Sequence, residues 1–181
     1  MIKQKSPYTV KVDSEITLRI RTKDEALELF NLVKENKKHL NQFLYWVDTT
    51  KKVSDTKAYI EKLLKTYKEG TGCDFGIYFK DTLIGSGGFI NISKTHRGGE
   101  IGYWISQKYE GKGIITKAVK KMIEIGKKKY RLHRIVISMD TENTKSRSIP
   151  KKLGFTYEGT HRDLKFYKKK FRSIEVWSLL I

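Results

Sequence analysis

The spacing of apolar residues predicts the first elements of the chain. Residues 16–21 alternate between apolar and polar side chains, as in a half-buried strand. Asp24 is a candidate cap for an amphipathic helix, and a second helix begins near Ser54 and ends before Gly70. The apolar faces of these two helices comprise Ala26, Leu29, Phe30 and Val33 in the first, and Ile60, Leu63, Leu64 and Tyr67 in the second.

The middle of the chain is rich in predicted strands. Residues 75–79 and 83–92 form two of them, and Lys80-Asp81 between them is typical of a hairpin turn. Gly85, Gly87 and Gly88 in the second strand indicate a bulge or the close approach of another backbone. A third strand at 100–106 leads into a glycine-rich turn.

The second half of the chain predicts a helix from about 113 to 129, a strand at 133–140 and a short helix at 143–153. Strands at 155–161 and 171–181 complete it. No repeat, low-complexity tract or linker divides the sequence, so we predict one domain, 1–181. The order of elements predicts an α/β (α+β mixed) fold, with a central mixed, mostly antiparallel sheet of about seven strands flanked by about four helices.

The charge of the chain is strongly positive. Lys and Arg total 38 against 20 acidic residues, a formal net charge of +18. Such a field attracts polyanions, among them nucleic acid, acidic protein, anionic lipid and phosphate-bearing cofactors. A lysine-rich protein that only solvates its helices would have the same composition, so charge alone does not name a partner.

The composition also bears on the cellular compartment. The single cysteine, Cys73, excludes an internal disulfide, and residues 1–12 lack the apolar core of a signal peptide. No apolar run reaches the roughly 20 residues that a membrane span needs. The four histidines have no metal-ligand spacing. We therefore expect a cytoplasmic protein without a metal or a membrane partner.

The turn after the third middle strand is a candidate phosphate site. It runs Glu110-Gly-Lys-Gly-Ile-Ile-Thr116 and opens the predicted helix. A helix start carries unpaired N–H groups and a partial positive charge, and glycines let an anion approach the backbone closely. Alone, this pattern is also that of an ordinary tight turn, and it fits neither a P-loop nor a dinucleotide fingerprint.

A second segment about 30 residues on changes that reading. Asn143-Thr-Lys-Ser-Arg-Ser-Ile-Pro-Lys-Lys-Leu-Gly-Phe155, followed by Tyr157-Glu-Gly159, resembles the N-x-x-S…L-G-F helix of the GNAT acetyltransferase superfamily. The glycine-rich turn resembles the coenzyme-binding motif of the same superfamily. With "EIGYWI" before it, the pattern is most similar to the Rim-type group, the ribosomal-protein N-terminal acetyltransferases and their relatives.

The resemblance implies a GNAT-like sheet, acetyl-CoA as cosubstrate and direct attack of an amine on the thioester. It implies the coenzyme-binding residues Trp104, Ile105, Ser106, Gly111, Lys112, Gly113, Ile114, Ile115, Thr116, Asn143 and Ser146. Two motif positions differ here, because Glu110 replaces Gln or Arg and Ile115 replaces Gly or Ala. A carboxylate repels a pyrophosphate, so we expect Glu110 to point away or to pair with a lysine.

For catalysis, the resemblance implies Ser146 as the acid that protonates the leaving sulfur. We expect Glu100 to be the base, directly or through water, although a solvated Glu at a strand end has the same sequence signature. Tyr45 and Trp46 are expected on the acceptor side, with core packing as the alternative. The basic and aromatic run 166–172 is typical either of a solvated hairpin tip or of a single-strand RNA surface.

The leading functional hypothesis is an N-acetyltransferase that acts on a protein N-terminus such as that of a ribosomal protein. The alternatives are acetylation of a small amine (a polyamine, an aminoglycoside or an amino acid), and a non-catalytic CoA- or RNA-binding module. Association with the ribosome or RNA would follow from the positive charge. We expect a monomer or a homodimer.

Overall fold

A mixed eight-stranded sheet forms the centre of the protein. The computed structural model describes residues 6–181, so residues 1–5 of the predicted domain lie outside the described residues. Within residues 6–181 the strand order is β1-β2-β3-β4-β5-β6-β8-β7. The strands are β1 (Thr9–Lys11), β2 (Ile16–Arg19), β3 (Cys73–Phe79), β4 (Thr82–Ser93), β5 (Gly98–Ile105), β6 (Arg134–Asp140), β7 (Thr156–Tyr167) and β8 (Lys170–Leu180). Neighbours are antiparallel except β5 and β6, which run parallel.

Five α-helices accompany the sheet in the described part of the chain. They are α1 (Ala26–Glu35), α2 (Lys37–Leu40), α3 (Val53–Glu69), α4 (Ile114–Tyr130) and α5 (Thr144–Lys152). Short 3₁₀ turns lie at Lys23–Glu25, Tyr45–Asp48 and Gln107–Tyr109. The predicted fold class is confirmed. The sequence reading lacked β1 and α2, because elements of three or four residues are too short to show a hydrophobic period.

The helices cover opposite faces of the sheet. Helix α4 buries Ala118, Val119 and Met122 completely against one face, in the larger apolar cluster with Phe75 and Ile77 of β3. Helices α1 and α3 pack on the other face, in a smaller cluster that includes Tyr78 and Leu83. Because side chains alternate along a strand, β3 supplies both clusters.

The glycines of β4 allow strands to approach closely, as the sequence predicted. A Cβ added at Gly88 would lie 1.9 Å from the carbonyl oxygen of Cys73, and one at Gly85 would lie 2.4 Å from that of Trp104. The register of β4 and β5 also shifts between Phe89 and Asn91. Larger residues at these positions would force the central strands apart.

Both predicted hairpin turns are present. Lys80 and Asp81 have positive φ between β3 and β4, and Lys168 and Lys169 have positive φ between β7 and β8. The second hairpin reaches back across the molecule, where the Tyr167 hydroxyl donates to the Asn41 carbonyl oxygen at 2.8 Å. No helix within residues 6–181 has the length and apolarity to cross a membrane.

Candidate active site

A cleft opens where β5 and β6 part. The two strands pair only from 98–100 to 134–136, and in the described chain β5 and β6 then continue without pairing to each other. The cleft has a volume of about 770 Å³, in the range of small-molecule and cofactor sites. It is lined by β5, the loop before α4, the first turns of α4 and α5, and the segment 39–44.

The glycine-rich turn forms one wall of this cleft. Gly111 and Gly113 have φ of +74° and +73°, and a Cβ at either would meet no atom within 4 Å. Gly113 is the N-cap of α4, and no side chain caps the helix start. The first amides of α4 are thus free of a side-chain acceptor at a wall of the cleft, as an anion-binding helix start requires.

Most of the residues expected to bind the coenzyme lie around this one cleft. Those that line it are Trp104, Ile105, Gly111, Gly113, Ile114, Ile115, Thr116, Asn143 and Ser146. Ser106 and Lys112 are not part of the lining. Ser106 is buried, and the Lys112 ammonium lies over the ring of Tyr109.

The backbone of β5 shows which amides face the opening. The Ser106 N–H donates to the Ile84 carbonyl oxygen at 2.8 Å, so it is used within the sheet. Peptide groups alternate in direction along a strand, and Trp104 therefore also faces β4, while Tyr103 and Ile105 face the open edge. This direction favours Ile105 over Trp104 and Ser106 as a backbone partner for a ligand.

Glu110 forms an ion cluster at the cleft. Its carboxylate lies 2.7 Å from the Lys145 ammonium at the start of α5 and 2.9 Å from His39 Nε2 in α2. The expectation that Glu110 pairs with a lysine is confirmed. Because two nitrogen groups surround the carboxylate, its charge does not stand alone beside the anion-binding turn.

Helix α5 presents Ser146 to the cleft. The Asn143 side chain accepts from the Ser146 N–H at 3.1 Å and so caps the start of α5. Pro150 has no N–H, so the carbonyl of Ser146, four residues earlier, lacks its helical donor. The Tyr103 hydroxyl lies 3.2 Å from that carbonyl oxygen and 3.0 Å from Ser146 Oγ.

Tyr103 is a site residue that the sequence reading did not identify. It lies 43 positions from Ser146, and no local pattern connects them. Burial raises the pKa of Tyr103 to about 12, so its hydroxyl stays protonated at neutral pH. When Tyr103 donates to the Ser146 carbonyl oxygen, the Ser146 hydroxyl donates to Tyr103 Oη. When Tyr103 donates to Ser146 Oγ instead, the Ser146 proton is free to be donated.

The remaining predicted residues lie outside the cleft. Glu100 is the last residue of β5 that pairs with β6, at the point where the strands part, and it is half-buried. Trp46 packs against Trp104, with ring centroids 6.2 Å apart. Tyr45 is 62% exposed and does not line the cleft.

Cys73 and the histidines form no further reactive centre. Cys73 is buried in β3, and burial raises the pKa of its thiol to about 12, which keeps it in the unreactive thiol form. Within residues 6–181 no three His, Cys, Asp or Glu side chains are placed to hold a metal ion.

The cleft fits a phosphate-bearing coenzyme. Its glycine turn leaves open space above the helix start, and Lys145 and Lys152 add positive charge to the lining. The open edge of β5 offers Ile105 to an extended, amide-containing chain such as pantetheine. The hydroxyls of Ser146 and Tyr103 lie together at the same cleft.

Comparisons with known proteins agree with this geometry. The family described as "Acetyltransferase (GNAT) domain" matches residues 15–156. Over 177 residues the chain is 31% identical to "Putative ribosomal N-acetyltransferase YdaF" of Bacillus subtilis (strain 168), covering 96% of this chain and 95% of the relative. It is 27% identical to the "Ribosomal-protein-serine acetyltransferase" of Escherichia coli (strain K12), covering 96% and 97%.

A solved structure adds a comparison in three dimensions. The microcin C7 self immunity acetyltransferase MccE, in complex with acetyl-CoA and AMP, superposes with a TM-score of 0.92 at 28% identity, covering 97% of this chain and 98% of that one. The family match spans well over half of the chain, and the fold agrees throughout. This chain therefore belongs to the GNAT acetyltransferase family and is an acetyl-CoA-dependent N-acetyltransferase.

Proposed function

We propose that the acceptor is the N-terminal amine of a protein, with ribosomal proteins as the first candidates. The observation that carries this proposal is the similarity to two relatives named for ribosomal-protein acetylation, since it extends over at least 95% of both chains in each pair. A shared ancestry of the acceptor side as well as the coenzyme side supports a shared acceptor class.

The cleft supports the coenzyme roles that we propose for its residues. Bound acetyl-CoA supplies the acetyl group as a reactive thioester. The amides of residues 111–116 hold its phosphates, and the positive end of α4 favours their charge. The open edge of β5 at Ile105 holds the pantetheine arm. The Ile105 N–H faces the same edge and can also donate to a developing oxyanion, a contact worth a few kcal/mol.

The proton transfers use residues on either side of that edge. Glu100 accepts the proton of the amine, directly or through water, from the apex where β5 and β6 part. Ser146 donates a proton to the leaving sulfur. Tyr103, which stays neutral, orients the Ser146 hydroxyl through the 3.0 Å contact.

An acceptor screen tests the acceptor proposal. Release of free thiol is followed with acetyl-CoA and a panel of peptides carrying free N-termini, N-terminally blocked peptides, and small amines. We expect turnover with free peptides and none with blocked peptides that lack other amines. Turnover confined to polyamines, aminoglycosides or amino acids would replace the proposal with a small-molecule acceptor.

Ser146→Ala tests the acid role. General acid catalysis contributes typically 10²–10⁴-fold, so kcat is expected to fall by about that factor while acetyl-CoA still binds, as calorimetry would show. Ser54→Ala, at an exposed position of α3, is the matched control. Unchanged turnover in Ser146→Ala would exclude the acid role.

The tip of the β7–β8 hairpin supports a proposal of RNA contact. Phe166 and Phe171 face each other across the strands, are 66% and 64% exposed, and stand among lysines at 165 and 168–170. Exposed aromatic rings with adjacent cations are the elements of single-strand binding. Binding to an RNA oligonucleotide is expected to weaken steeply with salt and in Phe166→Ala/Phe171→Ala; an unchanged affinity in either test would exclude this contact.

A further inference from the structure

A second cavity lies beside the coenzyme cleft. It has a volume of about 250 Å³ and is enclosed by α1, the segment 46–50, the first turns of α3 and the facing strands β4 and β5. Trp104 lines both spaces, so the cavity adjoins the cleft at the strand whose open edge faces the coenzyme. Its lining consists of Leu29, Val33, Trp46, Thr49, Thr50, Asp55, Thr56, Tyr59, Ser86 and Trp104.

The floor of the cavity rests on a neutralised ion pair. Arg21 and Asp74 are almost completely buried and are 2.5 Å apart. Ser86 Oγ donates to Asp74 Oδ1 at 2.8 Å and accepts from Arg21 Nη2 at 3.1 Å. The Tyr59 hydroxyl donates to Asp74 Oδ2 at 3.3 Å. The buried charges of Arg21 and Asp74 therefore cancel. The hydroxyl protons of Ser86 and Tyr59 are both used in hydrogen bonds to Asp74.

The hydroxyls of Thr49 and Thr50, on another wall of the cavity, also donate to the protein. Thr49 Oγ1 and Thr50 Oγ1 donate to the carbonyl oxygen of Trp46, at 2.8 and 3.2 Å. Four hydroxyls of the lining therefore give their protons to the protein, and their oxygens keep lone pairs that only a donor can use. A bound group that meets these four oxygens has to donate hydrogen bonds to them.

The charged residue and the aromatic rings of the cavity both favour a cation. Among the described residues that line it, Asp55 alone carries a charge. Asp55 Oδ2 accepts from the backbone N–H groups of residues 51 and 52, which holds the carboxylate at the start of α3. The indoles of Trp46 and Trp104 add aromatic faces, which attract cations.

We propose that this cavity, which we call the side pocket, binds a cationic side group of the acceptor next to the reacting amine. An ammonium or guanidinium group supplies only donors, matches the carboxylate and lies well against indole rings. The charge of the whole chain is +18, but beyond about 8 Å at physiological salt exposed charges are largely screened. Lys51 and Lys52 lie close enough to act on Asp55, but neither lines the side pocket, so Asp55 is the charge that a bound group contacts there.

The proposal rests on the amine-acceptor function and adds a substrate class to it. The cationic group has two sources, a basic first residue of a peptide or the second amine of a diamine. The side pocket, at about 250 Å³, is large enough for a side chain of lysine or arginine size. For comparison, one water molecule takes up about 30 Å³ in the liquid.

Peptides that differ only in the first side chain test the peptide source. Arginine, its neutral isostere citrulline, and glutamate are compared by kcat/KM for thiol release. We expect arginine to exceed citrulline by about tenfold, which is 1.4 kcal/mol of differential binding, and glutamate to be the poorest. A diamine compared with a monoamine of equal chain length tests the small-molecule source in the same assay.

Asp55→Asn is the variant that removes the charge and keeps an acceptor for the helix start. We expect the arginine preference to fall below about threefold, by loss of the charge-assisted contact. Asp48→Asn, an exposed acid of the neighbouring turn that does not line the cavity, should keep it. Trp46→Leu is a second variant, which should weaken the preference without touching the α3 cap.

The outcomes separate this proposal from the acceptor proposal. Transfer to all three peptides within twofold, or an arginine preference that survives in Asp55→Asn, would overturn the side pocket's role and leave peptide acetylation standing. A preference for the diamine without any peptide transfer would overturn the peptide acceptor and keep the chemistry of the side pocket.

Discussion

The contact between Tyr103 and the Ser146 carbonyl yields a quantitative prediction. Pro150 deprives that carbonyl of its helical donor, and the Tyr103 hydroxyl replaces it at 3.2 Å. Tyr103→Phe leaves a partly buried carbonyl without a partner. The expected loss in the free energy of unfolding is about 1–2 kcal/mol, from the cost of an unsatisfied buried acceptor.

A second substitution can restore the missing donor. Pro150→Ala gives residue 150 an N–H that can reach the Ser146 carbonyl oxygen in the normal helical pattern. In this background Tyr103→Phe should cost about 1 kcal/mol less than in the native chain, because the carbonyl keeps a partner. The direct effect of Pro150→Ala on the helix and on the unfolded chain cancels in the double-mutant cycle.

The four proteins of the cycle are compared by urea unfolding, followed by far-UV circular dichroism. Tyr45→Phe, which removes an exposed hydroxyl, serves as the control and should change the free energy of unfolding little in either background. A Tyr103→Phe cost that is equal within about 0.5 kcal/mol in both backgrounds would refute the role assigned to Pro150.

Three further predictions concern the turn, an ion pair and the core. Gly113→Ala, at φ +73°, should cost about 1 kcal/mol of stability and weaken acetyl-CoA binding in calorimetry, whereas Gly154→Ala, at φ +76° and equally open, should cost the same stability and leave binding unchanged. The Arg134 and Ser178 contacts lower the pKa of Glu158 to about 2. Its stabilisation is thus present above pH 4.5 and lost as the pH falls toward 2, so Glu158→Gln should cost less than about 1 kcal/mol in urea unfolding at pH 7, with the difference vanishing in acid. Met122→Ala, fully buried, should cost about 2–5 kcal/mol in the same assay.

Local sequence patterns were sufficient to predict an element where one of its faces is apolar over several turns. Helix α4 was predicted at about 113–129 and lies at Ile114–Tyr130. The prediction was accurate because the apolar period continues over many residues and a glycine marks the start of the helix. The turn at Lys80 and Asp81 was equally clear between two apolar strands. Such features depend on neighbours within a few residues.

The contacts that complete the site depend on distant parts of the chain. Glu110 finds its partners in α2 and α5, 71 residues before and 35 residues after it for His39 and Lys145. Tyr103 meets Ser146 only because β5 and α5 flank the same cleft. Hydrophobic periodicity carries no record of such pairs. The sequence therefore predicted only that Glu110 points away or pairs with a lysine, and not which lysine.

The alternation of side chains along β5 lets one strand line both the coenzyme cleft and the side pocket. Tyr103 and Ile105 point their peptide groups to the open edge, and Tyr103 reaches α5 on the coenzyme side. Trp104, between them, turns its indole to the opposite face and lines the side pocket, and Glu100 shares that face because it lies an even number of residues away. If the register of β4 and β5 slipped by one residue, Tyr103 and Ile105 would change places with Trp104 and Glu100 on the two sides of the strand. A Cβ added at Gly85 would lie 2.4 Å from the Trp104 carbonyl oxygen, so no side chain fits there. This close approach favours the one register in which β5 lines both the cleft and the side pocket.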